Sequence, residues 1–166
     1  MTLKDQLLEF WGDAKDRRIL IMGLGSDIRG DEAAPLKIID RLEEENLNSV
    51  YPLRAETRPE NFTENIRRFN PTHMLILHAS SWGGKPGETM FVPMEEHREK
   101  SMHESPLTSL IHYLEPILNM KTKLLYIEPR IRRFGELTPD LEKAVSEISD
   151  AILSSIKDKE TSKNSN

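Results

Sequence analysis

Two aliphatic runs, Ile19-Leu-Ile-Met22 and Met74-Leu-Ile-Leu77, set the narrowest limit on how this chain can fold. Neither alternates apolar with polar residues, so each is dry on both faces, as a strand is in a parallel sheet covered by helices on both sides. The first breaks into Gly23-Leu-Gly25, a tight turn at a strand end, and the second runs straight into His78. Parallel neighbours need crossover connections, so helices must lie between such strands.

The rest of the chain supplies them. Leu3, Leu7, Leu8, Phe10 and Trp11 recur at helical spacing, predicting an amphipathic opening helix over 3–11 that Gly12-Asp13 ends. Pro35 suits the first turn of a helix with Leu36, Ile39 and Leu42 on one side, fading into Glu43-Glu44-Glu45. Val50 to Ala55 reads as a strand that Pro52 places near an edge. A helix is predicted over Glu60 to Phe69 with Phe62, Ile66 and Phe69 inward, stopped by Asn70-Pro71. After the glycine-rich turn Trp82 to Gly87, Thr89 to Val92 reads as a strand. Met94 to Ser105 is polar without periodicity and reads as a long loop. Leu107, Leu110, Ile111 and Leu114 mark a helix after Pro106, and Lys123 to Ile127 a strand ending at Glu128-Pro129. Thr138-Pro139 opens a long helix with Leu141, Val145, Ile148, Ile152 and Ile156 on one face. The expected architecture is a three-layer α/β/α sandwich with a mostly parallel central sheet, one domain over residues 1–156, followed by a polar, disordered tail over 157–166.

Composition narrows the function classes. At 166 residues the chain has room for one domain with a real core. Charged residues make up 31% with a net charge of −5, and the short basic clusters Arg67-Arg68 and Arg130 to Arg133 do not form the stripe expected for nucleic-acid binding. No apolar run approaches the roughly 18 residues of a membrane span, so no membrane insertion is expected. Met1 to Asp16 carries acids throughout and lacks a signal core. The absence of cysteine removes thiolate chemistry and fits a reducing compartment, so the expected location is cytoplasmic.

Ligands of open α/β sheets bind beyond the carboxyl ends of the strands, which here are Gly23 to Glu32, His78 to Gly84 and Glu128 to Arg133. The first is not a dinucleotide fingerprint, because position 28 is Ile where the third glycine belongs. Asp27, Asp31 and Glu32 would repel a pyrophosphate, so no nucleotide cofactor is expected; the same acids suit a cation. Alternatively, Asp31 caps the following helix and Glu32 favours its positive end. His78 stands where such folds place functional groups. His103 precedes a helix in Met102-His-Glu-Ser-Pro106, and taken alone reads as a surface histidine. His73 sits at the wrong end of its strand, and His97 and His112 carry little weight. Two imidazoles and one carboxylate form a set that nickel, zinc or iron accepts, with positions left open for a substrate group or water. No local H-E-x-x-H spacing is present, so such a site would be assembled from distant loops.

Five segments, in order, resemble the NiFe-hydrogenase maturation endopeptidases. Ile19 to Gly25 with Arg29-Gly-Asp-Glu32 is similar to their opening motif, and Thr57-Arg-Pro-Glu-Asn61 to the segment after their second strand. Leu75 to Gly83 with Pro86-Gly-Glu88 resembles their central strand and turn. Met102-His103 with Pro106-Leu107 is similar to their histidine motif. Tyr126-Ile-Glu-Pro129 and Phe134-Gly-Glu-Leu-Thr-Pro139 resemble their last strand and final helix entry.

The resemblance implies an α/β/α sandwich that removes a C-terminal extension from the hydrogenase large-subunit precursor once nickel has been inserted. It implies metal ligation at Glu32, His78 and His103, with Asp31, Asp27, Ser80 and Ser81 as supporting neighbours. Nickel is expected in the substrate or at the site, the precursor is the expected partner, and no catalytic residue is assigned. This sequence departs from the family at His78, which replaces an acid, at Ser26 for asparagine, at Ala33 for glycine and at Glu128 for glutamine. An imidazole can still ligate nickel, but it cannot stand in for a carboxylate acting as general base in the same geometry. A second reading is therefore a nickel-checking, chaperone-like binder of the large subunit that has lost cleavage. An unrelated cofactor-binding α/β protein is a third.

Overall fold

The computed structural model describes residues 1–13, 15–100, 105–130 and 133–164. Five strands form one sheet: β1 (Ile19–Leu24), β2 (Val50–Glu56), β3 (His73–Ala79), β4 (Thr89–Pro93) and β5 (Lys121–Ile127), in the order β2-β1-β3-β5-β4. β1 pairs in parallel with β2 and β3, and β3 with β5, while β4 closes the far edge antiparallel to β5. The two continuous aliphatic runs are the adjacent central strands, Gly23 lying opposite Leu77. Pro52 lies on edge strand β2, where its missing N–H costs no interior ladder bond.

Strand residues alternate between two cores. On one face Ile19, Ile21, Leu75, Leu77, Leu125 and Ile127 pack under α1 (Leu3–Trp11), α2 (Ala34–Glu45) and α6 (Pro139–Asn164). On the other, Leu20, Met22, Met74, Ile76, Leu124 and Tyr126 pack under α3 (Thr63–Phe69), α4 (Met94–Lys100) and α5 (Pro106–Leu118). The expected α/β/α sandwich with a mostly parallel sheet is what the chain forms.

α1 spans the residues its periodicity marks. Thr2 and Asp5 cap its start reciprocally, each side chain accepting the other's backbone N–H. Its Trp11 indole donates to the Ser155 hydroxyl on α6 at 2.8 Å. Two expectations need correction. Met94 to Ser105 is not one long loop, because Met94–Lys100 is helical. Among the side chains described in that helix only Met94 is buried, with His97 and Arg98 partly so, and a single apolar anchor leaves no periodic signature. The helix predicted from Glu60 begins as a 3-10 turn over Pro59–Phe62 and becomes α-helical at Thr63. At the C-terminus α6 continues to Asn164, and its described buried stripe includes Leu141, Val145, Ile148, Ile152 and Ile156.

Among the described residues no helix is long and apolar enough to cross a membrane.

Candidate functional site

The strand order sets where a site can form. From β1 the chain crosses to β2 on one side, and from β2 it returns to β3 on the other, so the connections leaving β1 and β3 diverge. That divergence opens a crevice beyond the carboxyl ends of two adjacent parallel strands. A cleft of about 730 Å³ occupies the position, and Glu32 and His78 both line it.

Glu32 reaches the cleft through a tightly built loop. Gly25 has φ +147°, and a Cβ there would lie 2.0 Å from the Glu32 carbonyl oxygen, so only glycine lets the strand end pass beneath the 3-10 turn Gly30–Ala33. Gly25 N–H donates to the Glu56 carbonyl at 3.0 Å, tying the β1 and β2 ends together. Gly23 brings α2 close in the same way, since a Cβ would meet Ile39 Cγ1 at 2.6 Å and the Pro35 carbonyl oxygen at 3.0 Å. The Gly-Leu-Gly sequence is thus used for backbone approach, not for a phosphate.

Asp31 points inward and is fully buried. Its carboxylate accepts the backbone N–H of Thr138 at 2.8 Å, the Thr138 hydroxyl at 3.0 and 2.9 Å, and the backbone N–H of Arg130 at 2.8 Å. It therefore fastens the first loop to the chain entering α6, which holds the neighbouring Glu32 from behind. The Gly30 N–H donates to the Gly135 carbonyl and the Gly135 N–H to the Ile28 carbonyl, which extends the same seam.

The other acids and serines divide. Asp27 lies outside the cleft wall, bonded to Arg54 at 2.8 Å with Lys37 at 4.0 Å. Arg54 also bonds Asp40 at 2.7 Å, and the Asp27 hydrogen bond above all holds its guanidinium even more firmly protonated. Ser80 lines the cleft beside His78, while Ser81 is exposed and does not. His103 lies outside the described residues, although Ser105, Pro106 and Leu107, which follow it, form part of the wall. Thr57 and Pro59, from the segment after β2, contribute to another part of it.

His97 also lines the cleft, contrary to the small weight its sequence context suggests. Its Nδ1 lies 2.6 Å from the Tyr126 hydroxyl, and its ring stands 6.5 Å from that of His78, nearly perpendicular to it. Tyr126 is the residue opposite His78 in the β3–β5 pairing. Burial, with help from Glu96, raises the Tyr126 pKa and keeps the phenol protonated. The signal for His97 is its place three residues after Met94, on the one inward side of α4. Glu128, buried at the end of β5, accepts the Trp82 N–H at 3.0 Å and holds the turn after β3.

Chemically, the described wall offers two carboxylates, Glu32 and Glu56, and two imidazoles, His78 and His97, and carboxylate with imidazole is a donor set suited to nickel, zinc or iron. Among the described residues no three histidine, aspartate or glutamate side chains are gathered closely enough to hold a metal ion. The cleft is open to solvent.

A hydrogenase maturation protease family model, HycI, matches residues 36–157. The chain belongs to that family, and it is a protease of hydrogenase maturation. It is 27% identical over 150 residues to a Methanocaldococcus jannaschii protein named "Putative hydrogenase maturation protease", covering 84% of this chain and 88% of the relative. It is 26% identical over 118 residues to the hydrogenase 3 maturation protease of Escherichia coli K12, covering 69% of this chain and 75% of that one. In three dimensions it is similar to the NiFe hydrogenase maturation protease HycI of Thermococcus kodakarensis KOD1, with a TM-score of 0.82 at 24% identity. That match covers 92% of this chain and 99% of the other, and the likeness concerns the fold.

Proposed function

We propose that this protein is the endopeptidase that removes the C-terminal extension of a NiFe-hydrogenase large-subunit precursor after nickel insertion, reading the nickel through Glu32, His78 and His103. The observation that carries this reading is the meeting of Glu32, from the loop after β1, with His78, from the end of β3, in one open cleft at the switch point of the sheet. A metal brought by the substrate needs protein donors that leave coordination positions to the substrate's own ligands, and an incomplete set of a carboxylate and imidazoles does so. Nickel is then part of the substrate. The cleft takes the extended tail, the anchored loops fix the donors, and hydrolysis occurs in the cytoplasm where the precursor is assembled.

The test is mass spectrometry of a large-subunit precursor incubated with the protein, with and without nickel. Loss of a C-terminal peptide from the nickel-loaded precursor alone is expected, and Glu32→Ala or His103→Ala should abolish it while leaving the fold intact. Processing unaffected by either substitution would sink the proposal. A loaded precursor that binds but stays whole would identify a protein that inspects nickel without cutting.

A further inference from the structure

The end of the cleft between β3, β5 and α4 holds a cluster that the Glu32, His78 and His103 set does not include. His97 and His78 both line the cleft, with ring centroids 6.5 Å apart and planes 84° apart. Tyr126 packs against both, its ring 5.9 Å from His97 and 6.2 Å from His78. The 2.6 Å contact between the Tyr126 hydroxyl and His97 Nδ1 fixes the angle of the imidazole.

We propose that His97 is a second imidazole donor of the cleft, held edge-on to His78 by the Tyr126 hydroxyl so that both rings ligate the nickel ion a precursor presents. The inference rests on the functional reading above, and it adds a ligand.

Three physical points support it. First, a ligating histidine ordinarily has its other ring nitrogen bonded to an oxygen, which sets tautomer and orientation. Here that oxygen is the Tyr126 hydroxyl, and in the tautomer whose Nδ1–H donates to it, Nε2 carries the lone pair that would coordinate. Second, the spacing is compatible with a shared ion. With a metal–nitrogen bond of about 2.1 Å, an imidazole centroid lies roughly 3.2 Å from its metal, so two ligating rings stand about 4.5 Å apart when cis and about 6.4 Å apart when trans. The observed separation is at the wide end, as for opposite positions in the tetragonal geometry nickel favours. Third, two imidazoles and an open cleft form an incomplete site, which requires the remaining ligands to arrive with the substrate. His78, standing where the family resemblance implies an acid, then works as one of a pair.

The test is calorimetric titration of the purified full chain with nickel chloride, together with nickel K-edge absorption, in which imidazole scattering counts bound histidines. The variants are His97→Phe, which keeps an aromatic ring against His78 but removes the nitrogens, and Tyr126→Phe, which removes only the hydroxyl. Circular dichroism and thermal melts confirm that each is folded. His97→Phe should weaken nickel binding at least about tenfold and lower the imidazole count by one, and Tyr126→Phe should weaken it by roughly tenfold with the count unchanged. Wild-type affinity and imidazole count in His97→Phe would overturn the proposal, as would a wild-type protein with only one coordinated imidazole. The precursor assay separates this outcome from the broader one. Nickel-dependent cleavage that His97→Phe leaves untouched defeats His97 as a ligand but not the protease reading. Nickel held through His97 with no cleavage of any loaded precursor does the reverse.

Discussion

The buried carboxylate of Asp31 receives both the backbone N–H and the hydroxyl of Thr138, 107 residues away in sequence, at 2.8 to 3.0 Å. The Arg130 N–H is a third donor to it, at 2.8 Å. A buried carboxylate accepting N–H and O–H donors from a distant segment locks the two loops together. Asp31→Asn should therefore be disruptive despite its similar size, because its amide must turn an NH2 group toward N–H donors. Leaving buried donors unmatched costs about 1 to 3 kcal/mol each, more where the lost acceptor is charged. Urea unfolding should show a loss of at least about 2 kcal/mol, on the same scale. A midpoint equal to wild type would refute the assigned role.

Gly25 offers a sharper contrast. A methyl group there would lie 2.0 Å from the Glu32 carbonyl oxygen, which is backbone and cannot swing away. Gly25→Ala should lower the thermal midpoint by several degrees, since overpacking and the unfavourable φ together cost roughly 2 to 4 kcal/mol. Precursor processing at a temperature where the variant remains folded should fall as well, because the shifted segment carries Glu32. Stability and processing both unchanged would show that the loop has slack.

How much of this was legible in the sequence depended on whether a signal was local. The two aliphatic runs announced adjacent buried strands because burial on both faces leaves no polar residue in them. α1 could be placed to the residue because its apolar spacing and Gly12 both mark it. Glu32 and His78 could be nominated because strand ends at a switch point are where ligands bind. His97 could not, since one buried methionine in a seven-residue helix makes no pattern, and its partner Tyr126 is 29 residues distant. Asp31 was ambiguous for a related reason: a carboxylate that caps a helix and one that staples a remote loop look alike until the fold brings Thr138 to it. Asp27 looked like a member of the same acidic set, yet Arg54, on the neighbouring strand, draws it to the outside.

His73, at the opposite end of the sheet, predicts a pH effect remote from the cleft. It is buried against the Phe10 and Trp11 rings, and Nδ1 lies 2.8 Å from the Thr72 hydroxyl. Burial, aided by the positive charges of Lys121 and Arg17, lowers its pKa from 6.5 to about 4. The folded protein thus resists a proton that the unfolded chain accepts. The stabilisation is fully present above pH 6.5, declines as the pH falls toward 4, and amounts to on the order of 2 to 3 kcal/mol across that window. His73→Leu removes the titrating ring. Its stability should fall less steeply than wild type between pH 7 and pH 4, with carboxylate contributions cancelling in the comparison. Parallel curves would show that His73 is not the group responsible.

The substitution that bears most directly on mechanism is His78→Asp. The position lies at the end of β3, half-buried, opposite Tyr126 and within the cleft that also holds Glu32. Aspartate is smaller than histidine and would project from the same strand end, so the fold should tolerate it. It would make the site one charge more negative and supply a carboxylate able to accept a proton from an attacking water, which an imidazole committed to a metal cannot do. If cleavage by this chain is limited by the lack of that base, His78→Asp should raise the single-turnover rate on a nickel-loaded precursor by about a hundredfold, the lower end of what a positioned base contributes. Binding of the precursor should change far less, since a carboxylate is also an acceptable nickel ligand. A rate that falls while binding holds would show instead that this cleft is built around the imidazole, with His97 its partner and another group handling the proton.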